Sequence, residues 1–384
     1  MNISSLISPN DFIKNYQEKK PLLLKGAVNK ENFSWQDANE IFERSDVISD
    51  DFKISCQGIV QKSEYVEKFL DIGTIRHRLI KPVVYEYMKK GATIIANKIA
   101  NEPKVNYFSR KISDLTGRQV VSSAYAAFGS KDSFRCHWDT RDVFAIQLIG
   151  RKRWIVYEPS FKDPLFTQQS KDYEKSYPCP EKPYMDFILE AGDVFYLPRG
   201  WWHNPLPLNE PTFHLALGTF PAYATDYLSW LMKRIPNFPD ARKSLSHWGD
   251  DKSTLHSIGK HLDLLLNNEE LYRNFQDEFT GAVRVASPLA LNILGDPSVS
   301  AIPSESRLRL SAHHASGLDN HYLIANGTKI NLDERGAQLI SQIVEKPGIS
   351  FSDLLTIFSE EDEEKIEHLI KNLCSQDILE LSNS

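Results

Sequence analysis

His137-Trp138-Asp139 and, further along the chain, His203 are the residues whose types and spacing could do chemistry. Two imidazoles and one carboxylate can occupy one face of a metal ion and leave the opposite face open. That donor set is the one non-heme Fe(II) oxygenases use, with the open positions taking a co-substrate and dioxygen. In an extended strand residues i and i+2 project from the same face, so His137 and Asp139 point together and Trp138 points away. Zinc is the rival metal, but its structural sites are closed and usually thiolate-rich. No cysteine pair offers itself here, and Cys136 has the opposite strand parity to His137. An isolated His-x-Asp occurs often by chance, and a histidine after Pro198-Arg199-Gly200-Trp201-Trp202 could be a hydrogen-bonded core residue. The two pieces together, in one strand-rich stretch, favour metal ligation.

The elements that must position these groups follow from the pattern around them. From Val120 to about Phe220, short runs of Val, Ile, Phe, Tyr and Trp are separated by Gly, Pro, Asp and Lys clusters, the texture of a sandwich or barrel of short strands. After His137 and Asp139, the residues Val143, Ala145, Gln147 and Ile149 share their parity and could line an interior. Gly150-Arg151 reads as a turn, with a second strand, Lys152 to Tyr157, expected to run back beside the first. Ala191-Gly192-Asp193 and Pro198-Arg199-Gly200 read as turns flanking a strand from Val194 to Leu197, a unit able to deliver His203 to the mouth of a small barrel.

Outside this stretch the first 120 residues mix patterns. Trp35 to Phe42 and Pro82 to Ile99 look helical, and Pro21 to Leu24 looks like a short buried strand. Tyr227 to Met232 and Leu262 to Leu266 look helical, with Asn237 to Asp251 as a connection. His321 to Ala325 and Thr328 to Leu332 flank Asn326-Gly327, a strong hairpin signal. Helices are expected over Glu334 to Val344, Ser350 to Phe358 and Glu361 to Leu373. Strands with three short helices resemble a winged helix, which invites a DNA-binding reading. The last helix, however, opens Glu361-Asp362-Glu363-Glu364 and would present carboxylates to phosphate, where groove binding uses Lys and Arg. Direct DNA binding is therefore not expected.

Composition sets outer bounds. At 384 residues, 41% hydrophobic and 25% charged, the chain can build two or three ordinary globular domains. A net charge of −6 lacks the basic excess of a nucleic-acid binder. Met1 to Leu6 shows no secretory signal, and no apolar stretch reaches membrane-spanning length. Cys56, Cys136, Cys179 and Cys374 lie without CxxC spacing, which suggests a reducing compartment and no disulfide framework. A cytoplasmic location is expected.

Residues 120 to 220 resemble the Jumonji-C branch of the cupin fold, through His137-Trp138-Asp139, Asp142-Val143-Phe144, Gln147, Gly150 to Trp154, Gly192-Asp193 and Pro198-x-Gly200-Trp201-x-His203. The order of parts resembles the ribosomal oxygenases over nearly the whole chain. The resemblance implies an α+β chain: a double-stranded β-helix (Jumonji-C cupin) domain over 1–222, a helical dimerisation domain over 223–305 and a winged-helix-like domain over 306–384. It implies Fe(II) held by His137, Asp139 and His203, with 2-oxoglutarate as co-substrate and dioxygen as oxidant. Lys152 sits where that family places a basic residue for the distal carboxylate of 2-oxoglutarate, and a buried dicarboxylate needs such a cation. A solvated lysine between Arg151 and Arg153 is the plainer alternative. Tyr125 lies where a tyrosine often supplies a second contact to that carboxylate, and His214 where relatives carry a polar residue near the iron or co-substrate.

The activity so implied is hydroxylation of an arginine or histidine side chain in a protein, a large-subunit ribosomal protein above all, by a homodimer. Arg141, Asp142, Trp201 and Trp202 are candidates to border the entrance, with structural roles favoured for the two tryptophans. A hydroxylase tailoring a biosynthetic precursor peptide, an N-methyl-lysine demethylase and a non-catalytic metal-binding cupin remain open. Lys152 speaks against the last, since it has an obvious task only where a dicarboxylate binds.

Overall fold

The computed structural model describes residues 3–129, 135–285, 287–311, 315, 317–359 and 362–382. Contacts divide the chain into two units, Met1–Phe220 and Pro221–Ser384.

The strands of the first unit are β1 (Leu22–Leu24), β2 (Phe52–Ser55), β3 (Val66–Asp71), β4 (Thr74–Leu79), β5 (Thr93–Ala96), β6 (Gln119–Ala127), β7 (His137–Trp138), β8 (Val143–Ile149), β9 (Arg151–Tyr157), β10 (Met185–Glu190), β11 (Val194–Leu197), β12 (Trp202–Pro207) and β13 (Thr212–Phe220). Seven form one sheet in the order β1-β11-β8-β13-β6-β5-β2, and four form a second in the order β10-β9-β12-β7. From β6 to β13 the chain crosses between sheets at almost every step, which is the winding of a double-stranded β-helix. The strand from Lys152 therefore does not run back beside its predecessor: β9 lies in the other sheet, between β10 and β12. Gly150 makes that corner at φ +66°, where a Cβ would stand 2.1 Å from the Pro211 carbonyl oxygen.

Alternation along the strands separates two interiors. In β13, Phe213, Leu215 and Leu217 enter a core shared with Phe12, Ile41, Phe42, Val105, Phe108 and Ile112 from the helices outside the large sheet. Side chains of this size each contribute about 1.5–3 kcal/mol when buried. His214 and Ala216, on the opposite face, line a cavity between the sheets together with Val143 and Ala145 of β8. The sequence parity of β8 fails at its end. The pairing with β13 shifts between Phe213 and His214, and this bulge turns Ile149 toward the helix-side core.

Helices occupy Trp35–Arg44, opened by a capping box between Ser34 and Asp37, and Lys81–Lys89. The second stops well short of the Pro82 to Ile99 span expected from sequence. Gly91 takes φ +88°, and Thr93–Ala96 becomes β5, a fully buried run inside the large sheet. Burial on both faces removes the alternation that would have marked it as a strand.

In the second unit helices span Ala224–Met232, Trp248–Leu266 and Glu269–Ala282. Short 3-10 turns occupy Ile235–Asn237, at the edge of the expected Asn237 to Asp251 connection, and Pro239–Arg242 within it, and the helix from Trp248 begins before that connection was expected to end. The C-terminal part holds a three-stranded antiparallel sheet of Arg307–Leu310 between Ile349–Ser350 and Leu379–Ser382. Its hairpin pairs Tyr322–Ala325 with Thr328–Asn331 through Asn326 and Gly327, both at positive φ. Helices follow over Glu334–Glu345, Phe351–Ile357 and Glu363–Ser375; Glu361, expected at the start of the last, lies outside the described residues. The Tyr322 hydroxyl donates to Asp277 at 3.2 Å, joining hairpin and helices within this unit.

Gly150→Ala should cost at least about 3 kcal/mol in urea unfolding, because a left-handed backbone and a clash with main chain coincide there. A loss below about 1 kcal/mol would mean that the corner relaxes freely.

Candidate metal centre

Pairing of β7 with β12 sets the centre. The register places His203 directly opposite His137 and Trp202 opposite Trp138. Both histidines therefore face the cavity, and both tryptophans face the other way. Trp138 and Trp202 pack edge to face at 4.6 Å, and their indole N–H groups donate to the Gln168 carbonyl at 3.1 Å and Ser160 Oγ at 2.8 Å. Trp202 is thus a buried structural residue, and so is Trp201, 7% exposed in the cluster with Trp154 and Phe195.

Each imidazole is oriented by its own backbone. His137 Nδ1 lies 2.9 Å from the Arg135 carbonyl and His203 Nδ1 3.1 Å from the Trp201 carbonyl. Donation from Nδ1 fixes the tautomer and leaves Nε2 as the ligand nitrogen. Asp139 Oδ2 stands 3.6 Å from His203 Nε2, and ligand atoms of the three residues lie within 4.8 Å of one another. Burial, then the neighbouring His137, pushes His203 down to about 4 against the opposing pull of Asp139, so this imidazole is neutral and ready to ligate at neutral pH. The Gly200 N–H donates to the Asp139 carbonyl at 2.9 Å, tying the turn before His203 to the strand end bearing Asp139.

The three groups open on a cavity of about 90 Å³ that Tyr125, Lys152, Trp154 and His214 also line. All six residues singled out in the sequence thus meet at one place. Lys152 is 5% exposed, while Arg151 and Arg153 point outward and pair with Glu210 and Asp186. The solvated-lysine alternative is therefore excluded. Lys152 Nζ stands 3.4 Å from His214 Nδ1, and burial, then this ammonium, holds His214 well below the usual imidazole range. A neutral His214 can accept from Lys152. Tyr125, paired with His214 across β6 and β13, stacks on its ring at 4.9 Å. Burial, then Asp139, raises the Tyr125 phenol to about 12, so it stays a donor.

Asp142 corrects one expectation. It does not border the entrance but is 3% exposed, accepting from the Tyr196 hydroxyl at 2.7 Å, the Arg199 N–H at 3.0 Å and Arg118 at 3.2 Å. Arg141 does line a second hollow, of about 240 Å³, with Asn97, Ser123, Thr140 and Gln169; this hollow shares Tyr125 and Asp139 with the first. The guanidinium lies over the rings of Phe220 and Phe166 at 4.1 and 5.0 Å. Sequence reasoning missed Trp154 and Ser123, although each lies two residues from a chosen one on the same strand face, beside Lys152 and Tyr125. Trp154 Nε1 is buried and has no hydrogen-bond partner among the described residues.

A two-sheet β-helix carries this donor set, and residues 95–227 match the family profile described as JmjC domain. Among named relatives, "Bifunctional lysine-specific demethylase and histidyl-hydroxylase NO66" of Drosophila simulans is 27% identical over 221 residues, covering 56% of this chain and 25% of that protein. "Ribosomal oxygenase 2" of Rattus norvegicus is 28% identical over 229 residues, covering 56% of this chain and 46% of its own. The chain thus spans between a quarter and a half of these two curated relatives. The Escherichia coli ribosomal oxygenase YcfD matches over 98% of both chains with a TM-score of 0.59 at 14% identity. A structure of YcfD with cobalt and 2-oxoglutarate matches with a TM-score of 0.59 at 15% identity, over 98% of this chain and 99% of that one. At such identity the likeness establishes a shared fold.

Buried neutral His214 should make the metal-free protein lose stability in acid. The unfolded imidazole takes up a proton as pH falls through about 6.5 and the folded one does not, so unfolding is favoured progressively below that point. Between pH 7 and 5, His214→Gln should lose about 1–2 kcal/mol less than the parent in urea titrations. Equal losses would show that His214 is protonated in the fold.

Proposed function

We propose that the chain is an Fe(II)- and 2-oxoglutarate-dependent dioxygenase that hydroxylates an arginine or histidine side chain of a large-subunit ribosomal protein. The observation that carries this reading is the cavity with a two-histidine, one-carboxylate set on one wall and a buried lysine on another. The donor set fits Fe(II). The buried Lys152 charge complements an anionic co-substrate, and the Trp154 N–H, which has no partner among the described residues, would donate to it. The names of the relatives, and the YcfD complex with cobalt and 2-oxoglutarate, support the same reading.

His137, Asp139 and His203 would hold the metal. Bound iron, with 2-oxoglutarate and dioxygen, supplies the oxidising power for attack on a C–H bond. Lys152, oriented by His214, would pair with the distal carboxylate, and the protonated Tyr125 would donate to it. Val143, Ala145, Leu197 and Ala216 would keep water from the reacting atoms. The hollow beside Asp139 would take the target side chain. Its hydrogen-bonding walls and the Arg141 cation favour neutral histidine over arginine, and disfavour the methylated lysine of a demethylase.

The rest of the chain has a part in this proposal. Residues 306–384 are read as a winged helix that packs or contacts protein, not DNA, with a boundary near 305 to a helical segment and another near 222 to the oxygenase. The helix Trp248–Leu266 holds no buried residue among those described and exposes Trp248, Leu264 and Leu266. Apolar surface of this kind marks an interface, and a homodimer through it is the reading adopted. Among the described residues no helix is long and apolar enough to cross a membrane; a cytoplasmic site of action completes the proposal.

Anaerobic Fe(II) with 2-oxoglutarate should give a visible charge-transfer band, and ribosomal proteins should gain one oxygen on one peptide in the presence of the enzyme. No band and no succinate with any peptide would favour a binding role, and loss of methyl groups would favour demethylation. Lys152→Ala should weaken 2-oxoglutarate binding about 10–100-fold, the worth of a charged hydrogen bond, with metal affinity retained. Unchanged 2-oxoglutarate affinity would remove Lys152 from its role. Leu264→Asp should convert the dimer to monomer by light scattering, and an unaltered mass would place the interface elsewhere.

A further inference from the structure

Cys136 and Cys179 face each other, Sγ to Sγ, at 3.2 Å. Both are partly exposed thiols outside any disulfide, so reagents in solution can reach them. Spacing alone offers no reason to pair them, since 43 positions separate the two. We propose that they form a reversible disulfide with a peroxide as oxidant, and that this bond weakens metal binding at the adjoining centre. The second half rests on the metal-centre reading above; the first does not.

The chemistry balances without further reagents. Two thiols give up two protons and two electrons, and an S–S bond forms between the sulfurs. The O–O bond of hydrogen peroxide breaks, takes up those electrons and protons, and leaves as two waters. A dithiol reductant reverses the change by thiol–disulfide exchange. An S–S bond is about 2.05 Å long, so the sulfurs must approach by about 1.2 Å.

The unequal anchoring of the two sides decides where that movement falls. Cys179 lies between Pro178 and Pro180 in a segment pinned at both ends: Ser160 Oγ donates to the Tyr177 carbonyl at 3.1 Å, and the Tyr184 N–H donates to Val156 at 2.7 Å. Cys136 sits on the arm entering β7, a strand of only two residues. Its neighbour Arg135 is at φ +57° and supplies the carbonyl that orients His137 Nδ1. Drawing Cys136 toward Cys179 shifts that carbonyl and turns the His137 ring, so the state of the thiols is read at the metal ligand.

The test uses the full chain, reduced and metal-free, treated with a few equivalents of hydrogen peroxide and then alkylated. Intact mass should fall by two hydrogens before alkylation, peptide mapping should return a Cys136–Cys179 cross-link, and dithiothreitol should remove it. Cys179→Ser should form no cross-link. Titration with Mn(II) should then show at least tenfold weaker binding to the oxidised chain than to the reduced one, with Cys179→Ser unaffected by peroxide. Separate oxidation of each thiol to sulfinic acid, without a cross-link, overturns the disulfide. Equal Mn(II) affinity of cross-linked and reduced chains overturns the coupling. A reduced chain that binds no Mn(II) defeats the metal-centre reading and the coupling with it, while the cross-link is still decided by mass.

Discussion

Two residue pairs across β7 and β12 hold the centre together. Opposing residues of an antiparallel pair stand about 4.5–5.5 Å apart, close enough for two imidazoles to share one ion. The same register puts Trp138 against Trp202 on the reverse face. A slip by one residue would exchange histidines for tryptophans, burying imidazoles where the indoles pack and leaving the cavity without ligands. The bulky indoles, with hydrogen bonds to Gln168 and Ser160, make that slip expensive, so the packing of the outer face guards the chemistry of the inner one.

Around this pair, buried carboxylates fix the loops. Asp142 receives hydrogen bonds from Tyr196, Arg199 and Arg118, so the turn ahead of His203 is bound to the strand start just beyond Asp139. Asp193 does the same at the opposite end of β11, accepting from the Gly26 and Glu190 N–H groups and from Lys25. Burial raises the Asp142 carboxyl, and the donors around it only partly offset that. Removing one donor would leave a poorly compensated charge in the interior, which is far costlier than losing a surface pair.

Much of the site was legible because it depends on strand parity, a local property. His137 with Asp139 needed only the two-residue period, whereas Lys152 rested on the family resemblance, and its burial between outward-facing Arg151 and Arg153 accords with the same period. Trp154 and Ser123 would have followed from the same rule carried one step further along each strand. What stayed hidden depends on partners distant in sequence. The run Thr93–Ala96 lacks alternation because both of its faces are buried, and its helical neighbour at Lys81–Lys89 drew it into the wrong class. The corner at Gly150 looked like a hairpin, and only the close approach of Pro211 explains why the chain crosses to the other sheet instead. The meeting of Cys136 with Cys179 depends on a long loop folding back, which spacing rules cannot anticipate.

The brevity of β7 has a kinetic side. A strand of two residues has few ladder bonds to break, and this one, held chiefly by the buried Trp138, carries with the residue just after it two of the three ligand side chains, His137 and Asp139. Fraying of that arm would release both at once while His203 stays embedded in its six-residue strand. Exchange of the ion with bulk would thus be timed by the breathing of a few backbone atoms, and a centre of modest lability can coexist with a barrel that is slow to unfold.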